Sequence, residues 1–337
     1  MNNTVIKYLR GFMAIGAMVW ASALVIATAG AAHAQTGAQN FPNRPLRLII
    51  PMGAGGATDI FIRTLVPKLS DMLGQQVVVD NRPGANGVIG DEMAVKAAPD
   101  GYTLMANSIA ISINPGLYKL SYDITRDLQG VTRLGMIDLL MGIHPSVPAK
   151  SVSELIAHAR ANPGKLNYAS FGIGSISHVA GEMFKQATST QLVHVAYKTS
   201  PLAVQETIAG QTHLVMGGIS YMLPQARAGR LRGIAITSLQ RNANAPDIPT
   251  AHESGLPNFD VNAWFGLWVP AAVPKPLLAK LYDVVSKTLN HPEVRPAIEK
   301  HGYKIGGETP DEFQKFVRGE VEKFGKVIKA AGIKPEG

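Results

Sequence analysis

From residue 46 onward, short runs of aliphatic and β-branched residues alternate with longer stretches whose apolar positions recur at helical spacing. Leu46-Arg47-Leu48-Ile49-Ile50 reads as a buried strand. The helix after it has Ile60, Leu65, Leu69 and Leu73 among its apolar positions, with Thr58 or Asp59 as its cap. Pro67 inside that helix should kink or shorten it, because proline lacks an N–H and clashes with the preceding turn. Val77-Val78-Val79 is the next strand, and residues 81–87 form a loop rich in Gly and Pro. Asp100-Gly101 turns the chain into the strand Tyr102-Thr103-Leu104-Met105. A further strand covers 139–143 and ends at His144-Pro145-Ser146-Val147-Pro148.

The second half repeats the rhythm. Ser151-Val152-Ser153-Glu154 is a capping box, so a helix runs to about Arg160 and stops before Asn162-Pro163-Gly164. Asn167-Tyr168-Ala169 is a short strand, and 192–196, 214–216 and 233–237 are further β candidates between helical segments. Trp264-Phe265-Gly266-Leu267-Trp268-Val269-Pro270 is an apolar crossing segment, whose aromatics pack a crossover strand or cover an apolar ligand. Pro276 opens a helix reaching Asn290. Thr309-Pro310-Asp311-Glu312 combines a capping box with Pro at the first helical position, and Gly332 supplies a stop. Strand–helix alternation throughout means an α/β fold with mostly parallel sheets. Ligands of such sheets sit outside the carboxyl ends of the strands.

Two of those strand ends carry glycine-rich loops. The first is Pro51-Met52-Gly53-Ala54-Gly55-Gly56-Ala57-Thr58-Asp59, and the second is Ser170-Phe171-Gly172-Ile173-Gly174-Ser175-Ile176-Ser177-His178. A helix N-terminus leaves N–H groups unpaired and carries partial positive charge, and glycine lets a ligand approach that backbone. Two such ends on one cleft would hold an anion at each end of a small molecule. The first loop lacks the third glycine of a dinucleotide fingerprint, where Thr58 stands, and it lacks a following Gly-Lys-Ser/Thr. The second lacks the Gly-x-Ser-x-Gly of a nucleophile elbow, so its serines read as caps and donors to an anion. His178 reads as a helix-start or core histidine. Tyr197-Lys198-Thr199-Ser200-Pro201 ends a strand, where a lysine or hydroxyl can reach a carboxylate or simply face water.

Composition narrows the class. At 337 residues, with 46% hydrophobic and 17% charged positions, the chain suits two globular domains. Lys7 and Arg10, the apolar stretch 11–30 and Ala32-His33-Ala34 read as a secretory leader cleaved before Gln35. The remaining chain has thirty basic and 24 acidic residues, a formal +6, with the basic residues scattered. Without a basic stripe and interleaved aromatics, nucleic-acid binding is not expected. Zero cysteine excludes disulfides, thiol catalysis, Cys-based metal sites and a lipid-anchor box. No metal, no cofactor and no catalytic residue is expected.

Taken together, the chain resembles the Bug-type receptors, the solute-binding components of tripartite tricarboxylate transporters. The likeness spans about 41–333. It is carried by Phe41-Pro42-Asn43-Arg44-Pro45, Gly55-Gly56-Ala57-Thr58-Asp59, Asn81-Arg82-Pro83-Gly84-Ala85-Asn86-Gly87 and Ala98-Pro99-Asp100-Gly101-Tyr102-Thr103-Leu104. It continues through His144-Pro145-Ser146-Val147-Pro148-Ala149-Lys150-Ser151, Pro163-Gly164-Lys165-Leu166-Asn167-Tyr168-Ala169-Ser170 and Val193-His194-Val195-Ala196-Tyr197-Lys198.

The resemblance implies a two-lobed Venus-flytrap fold, type II-like, with residues 35–140 plus 264–337 in one lobe and 141–263 in the other. Hinges would lie near 137–144 and 258–266. It implies a periplasmic monomer that binds a small organic carboxylate and meets membrane-embedded permease subunits. The ligand set it suggests is Met52, Gly53, Ala54, Gly55, Gly56, Ala57, Thr58 and Asp59 with Ser108 on one lobe. On the other it is Ser170, Gly172, Gly174, Ser175, Ser177, His178, Tyr197, Lys198 and Gly217. Two departures stand out beside Pro67. Gly53-Ala54 replaces two prolines of many relatives, and Gly217-Gly218 stands where many have an acid. The lost acid disfavours an amino-acid ligand and should open space for a bulkier acid. The runner-up readings are a carboxylate sensor for a signalling partner and an exported enzyme acting on organic acids.

Overall fold

The computed structural model describes residues 40–334, and the predicted leader lies outside them. Strand β1 (Leu46–Ile50) lies between β2 (Val77–Asn81) and β3 (Thr103–Ser108), both parallel to it. Helix α1 (Ala57–Leu73) makes the first crossover, and a single 3-10 turn (Ala85–Gly87) leads into α2 (Val88–Val95). Helix α1 buries Phe61, Ile62, Leu65, Leu69 and Leu73, while Ile60 is 47% exposed, so the apolar face is rotated from the predicted one. Pro67 does not shorten it. A proline inside a helix costs about 3 kcal/mol. Leu69 and Leu73, beyond the proline, each contribute roughly 1.5–3 kcal/mol by burial, enough to offset it.

Helices α3 (Ala110–Leu117) and α4 (Ile124–Asp127) precede the longest strand, β4 (Leu128–Ile143). Only its last five residues are legible as a strand in the sequence. Gly130 and Gly135 flank register shifts that break the alternation of its first half. Residues 128–138 of β4 run antiparallel to β9 (Asn262–Pro270), and 139–143 run antiparallel to β7 (Leu214–Gly218). The far end of β4 also pairs with β8 (Arg232–Ile236), and its middle with β10 (Tyr303–Ile305).

Beyond β7 lie β5 (Asn167–Ser170) and β6 (Val193–Ala196), parallel again. The principal order is therefore β2-β1-β3-β9-β4-β7-β5-β6. The outer arms are parallel, as strand–helix alternation predicts, and the central crossing strands are antiparallel.

The helices of the second arm are α5 (Val152–Ala161), α6 (Ile176–Thr188), α7 (Ser200–Ile208) and α8 (Ile219–Arg227). Ser151 caps α5 as predicted, while Glu154 accepts from the Lys150 N–H instead of closing the box. Helices α9 (Lys275–Leu289) and α10 (Arg295–Glu299) return to the first sheet. The final helix, α11 (Pro310–Ala331), begins on the predicted Thr309–Glu312 box and stops at left-handed Gly332. Its Phe313 and Phe324 join Trp264 and Trp268 in one buried cluster, and Trp264 donates to Glu320 at 2.9 Å. Phe265 stacks on Phe61 at 5.4 Å. The crossing aromatics are therefore core.

Asp138 marks the crossing. It pairs with Asn262 in the first sheet, and its neighbour Leu139 pairs with Gly218 in the second. Its carboxylate is fully buried and accepts from Asn242 Nδ2 at 2.7 Å and Lys304 Nζ at 2.8 Å. Asp138→Ala leaves both donors without their acceptor inside the crossing. It should lower unfolding free energy by about 2–4 kcal/mol in urea titration. A change under about 0.5 kcal/mol would show that the ion pair is not structural.

Candidate functional site

The strand registers gather the predicted residues. Ile49 of β1 is level with Met105 of β3, so residues 51–57 and Ser108 leave the same sheet edge. In the second arm Ser170 is level with Ala196 and Ala169 with Val215. Phe171, Tyr197 and Gly217 are therefore level, Phe171 and Tyr197 just past the carboxyl ends of β5 and β6 and Gly217 within the last two residues of β7.

The first loop is open. Residues 53–57 are exposed, and Gly55 has φ +75°, a conformation that favours glycine. Neither Thr58 nor Asp59 caps α1. Gly56 is the N-cap, and no side chain bonds the helix end. Both predicted caps lie inside the first turn and are buried. Asp59, only 2% exposed, turns its carboxylate back to accept from the Gly55 N–H, Arg63 Nε and Asn81 Nδ2, all within 3.0 Å. Burial pushes this carboxyl up, but the bonds from Arg63, Gly55 and Asn81 outweigh it and hold it below its usual value. Asp59 thus shapes the loop, while the first-turn amides of α1 keep no capping partner.

The second loop is closed on itself. Ser175 caps α6 by accepting from the His178 N–H, and its hydroxyl donates to Gly172 O at 2.6 Å. The Phe171 N–H donates to Ser177 Oγ, the Gly172 N–H to Ser170 Oγ, and the Gly174 N–H to His178 Nδ1. Ser170, Ser177 and His178 are buried. They hold the loop's own backbone, and Ser175 is a cap as expected. Ser170 Oγ also lies 2.6 Å from His194 Nε2, and the His178 and His194 rings stack at 3.8 Å. His178 is pulled down to about 4, first by burial and then by neighbouring His194.

The two loops meet through a third, which residue-by-residue reading does not single out. A Cβ on Gly174 would stand 2.3 Å from Leu117 Cδ1 and 3.5 Å from Asn86 Nδ2. One on Gly87 would stand 3.2 Å from Met52 Cε. Asn86, with φ +52°, is locked by reciprocal bonds with Asn114. Ser108 ends β3, and its hydroxyl accepts from the Ala110 N–H at 3.4 Å. Tyr197 donates its N–H to Ser170 O. Lys198 is exposed and has no ion pair among the described residues.

Gly217 does not open space. A Cβ there would meet Tyr221 Oη at 2.8 Å, because the Tyr221 ring fills the position. Burial raises the Tyr221 pKa, and the nearby Gly218 backbone and Ser200 side chain offset part of that rise.

Two surface hollows, about 430 Å³ beside Arg227 and Arg232 and about 340 Å³ beside Tyr118 and Tyr122, include none of these residues. Among the described residues no cluster of His, Asp and Glu is placed to hold a metal, and no helix is long and apolar enough to cross a membrane.

Neutral His178 makes the second loop acid-sensitive. Its ordinary value is 6.5 and its folded value about 4, so the unfolded chain takes the proton first as pH falls between them. Buried Asp91, pushed up to about 7 by burial, acts oppositely over much of that window, because its folded form takes the proton first. The difference between wild type and His178→Gln isolates the histidine. From pH 6.5 to 4, wild type should lose about 2–3 kcal/mol more than the variant in urea titrations. Parallel loss in both would remove His178 from the account.

The sequence profile of the tripartite tricarboxylate transporter family receptor, TctC, matches residues 61–333. Protein BugT of Bordetella pertussis is 33% identical over 314 residues, 92% of this chain and 96% of BugT. An R. palustris protein solved with adipate superposes with TM-score 0.79 at 30% identity, covering 88% of this chain and all of the other. The periplasmic binding protein BugD gives TM-score 0.76 at 30% identity, covering 87% of this chain and all of BugD. The chain belongs to the Bug-type TctC receptors, a family of two-lobed periplasmic solute-binding proteins and not of enzymes.

Proposed function

We propose that this chain captures a small organic carboxylate between its two lobes and delivers it to the permease subunits of a tripartite tricarboxylate transporter. It does so in the periplasm as a monomer, after removal of a leader ending at Ala34, without a cofactor. The lobes are residues 35–140 with 264–337 and residues 141–263, and they move about the two segments that cross between the sheets. Residues 52–59 and Ser108 supply one side of the cleft. Gly172, Gly174, Ser175, Tyr197, Lys198 and Gly217 border the other, with buried Ser170, Ser177 and His178 behind them.

The observation that carries this reading is the uncapped, exposed start of α1 across Asn86 from the second loop. Such an end attracts a carboxylate through backbone N–H groups and the helix dipole. The family and the adipate bound to the R. palustris relative support the same ligand class.

The magnitudes are sufficient. Micromolar binding needs about −8 kcal/mol. Hydrogen bonds to a charged group contribute roughly 1.5–3 kcal/mol each. Four such bonds cover the need with a margin for ordering and closure. Closure follows because only the closed state lets both lobes touch one ligand.

A thermal-shift panel of adipate, malate, citrate and phenylacetate tests the reading. A ligand at a thousandfold excess over its Kd should stabilise the fold by about 4 kcal/mol. The absence of any shift across the panel would overturn it. Ala57→Pro then probes the helix end. Position 57 is the first helical residue and follows an extended Gly56, so proline fits there while deleting one N–H. Affinity should fall about 10–100-fold with unchanged apo stability, read by titration calorimetry and unfolding. Unchanged affinity would move the carboxylate away from this end.

A further inference from the structure

We infer that the cleft is chemically one-sided, with a carboxylate pocket on the first lobe and an aromatic wall on the second, and that it selects aromatic monocarboxylates. This rests on the carboxylate reading above and narrows it.

The first observation is a difference in donor supply. The start of α1 has no side-chain cap, and residues 53–57 are exposed. The second loop has bound its own Phe171, Gly172, Gly174 and Ser175 N–H groups, and Ser175 takes the third-turn-position amide of His178 as well. Hydroxyls that would otherwise meet an anion are buried behind it. A second carboxylate arriving there would find fewer free backbone donors than at the start of α1.

The second observation is what replaces the donors. Phe171 and Tyr221 are half-buried, their rings 6.3 Å apart at 61°, an edge-to-face pair. Together with half-buried Tyr197 they extend the apolar cluster that contains Phe61 of α1 and Phe265 and Tyr303 of the first sheet. Gly217 is the residue that makes this wall possible, since any Cβ there would collide with the Tyr221 hydroxyl. The hydroxyl at its tip lies against Gly217, near the Gly218 backbone and the Ser200 side chain, and the ring beside Phe171 supplies carbon surface.

The third observation is charge. Asp59 is the sole acid in the loops that border the cleft, and it is enclosed by three donors, so nothing there pairs with an ammonium group. Of the cations there, Arg82 is paired with Asp80, and Lys198 stands in water, where attraction to a second carboxylate is screened.

Titration calorimetry with phenylacetate, adipate, malate and glutamate decides the point. Phenylacetate should bind wild type at least tenfold more tightly than any of the other three. Tyr221→Ala should weaken phenylacetate at least tenfold, and Tyr221→Phe, which keeps the ring, should stay within threefold of wild type. Adipate or malate binding wild type as tightly as phenylacetate would overturn the aromatic selection while leaving the carboxylate receptor standing. Silence from all four acids would bring down both. The comparison of acids on wild type stands even where Tyr221→Ala fails to fold.

Discussion

One strand belongs to both halves of the molecule, and everything else is arranged around that fact. β4 crosses from the first sheet to the second at Asp138–Leu139 without a break in its backbone. A strand cannot rotate at its midpoint without disturbing its ladders, so the crossing needs a local anchor. Asp138 provides it, with Lys304 from the first sheet and Asn242 from the segment after β8 converging on one buried carboxylate. Helix α11 adds a second tie. It packs its aromatics against the first sheet, and Gln186 of α6 donates to its Val327 carbonyl at 3.4 Å. On the proposed hinge, relative motion of the two sheets would be confined to bending at these contacts.

The sequence discloses elements where local chemistry alone decides them. The α11 cap, the Ser151 cap and the strand at 46–50 follow from two or three neighbouring residues. The first eleven residues of β4 do not. Gly130 and Gly135 sit at bulges, and bulges shift the inward face by one residue, so the period that marks a strand cancels along it. Helix α1 shows a related limit. Thr58 and Asp59 have the right composition for a cap, but cap identity is a matter of φ and ψ, and the extended residue is Gly56. Ile60 has the right spacing for the core and faces water because the helix starts earlier than its cap residues suggest.

The site was legible as a place and not as a set of roles. Parallel pairing of β1 with β3 and of β5 with β6 and β7 puts the glycine loops, Ser108, Tyr197 and Gly217 on strand ends, and pattern alone indicates that. It does not indicate which serine hydroxyl faces outward. In the second loop Ser170, Ser175, Ser177 and His178 form a set of mutual bonds with the loop backbone, a tertiary outcome with no signature at the level of residue type. Asn86 escapes for the opposite reason. Its left-handed backbone resembles any turn residue, and its importance appears only when Gly174 of the other arm is found against it.

Gly217 shows why a lost side chain is not a gained space. Interiors are packed to crystal-like density, so a glycine at a strand end is commonly a seat for a neighbour's side chain and not a void. Here the seat is taken by Tyr221, the third residue of the following helix, whose ring and hydroxyl lie against the strand end. The exchange changes chemistry more than volume. An acid at this point would have offered charge to a ligand, whereas the tyrosine offers a ring face. With Asp59 committed to Gly55, Arg63 and Asn81, the open donors of the first loop are those of the backbone at the start of α1. Under the proposed division, one end of a ligand is read by charge at that helix end and the other by shape and apolar contact.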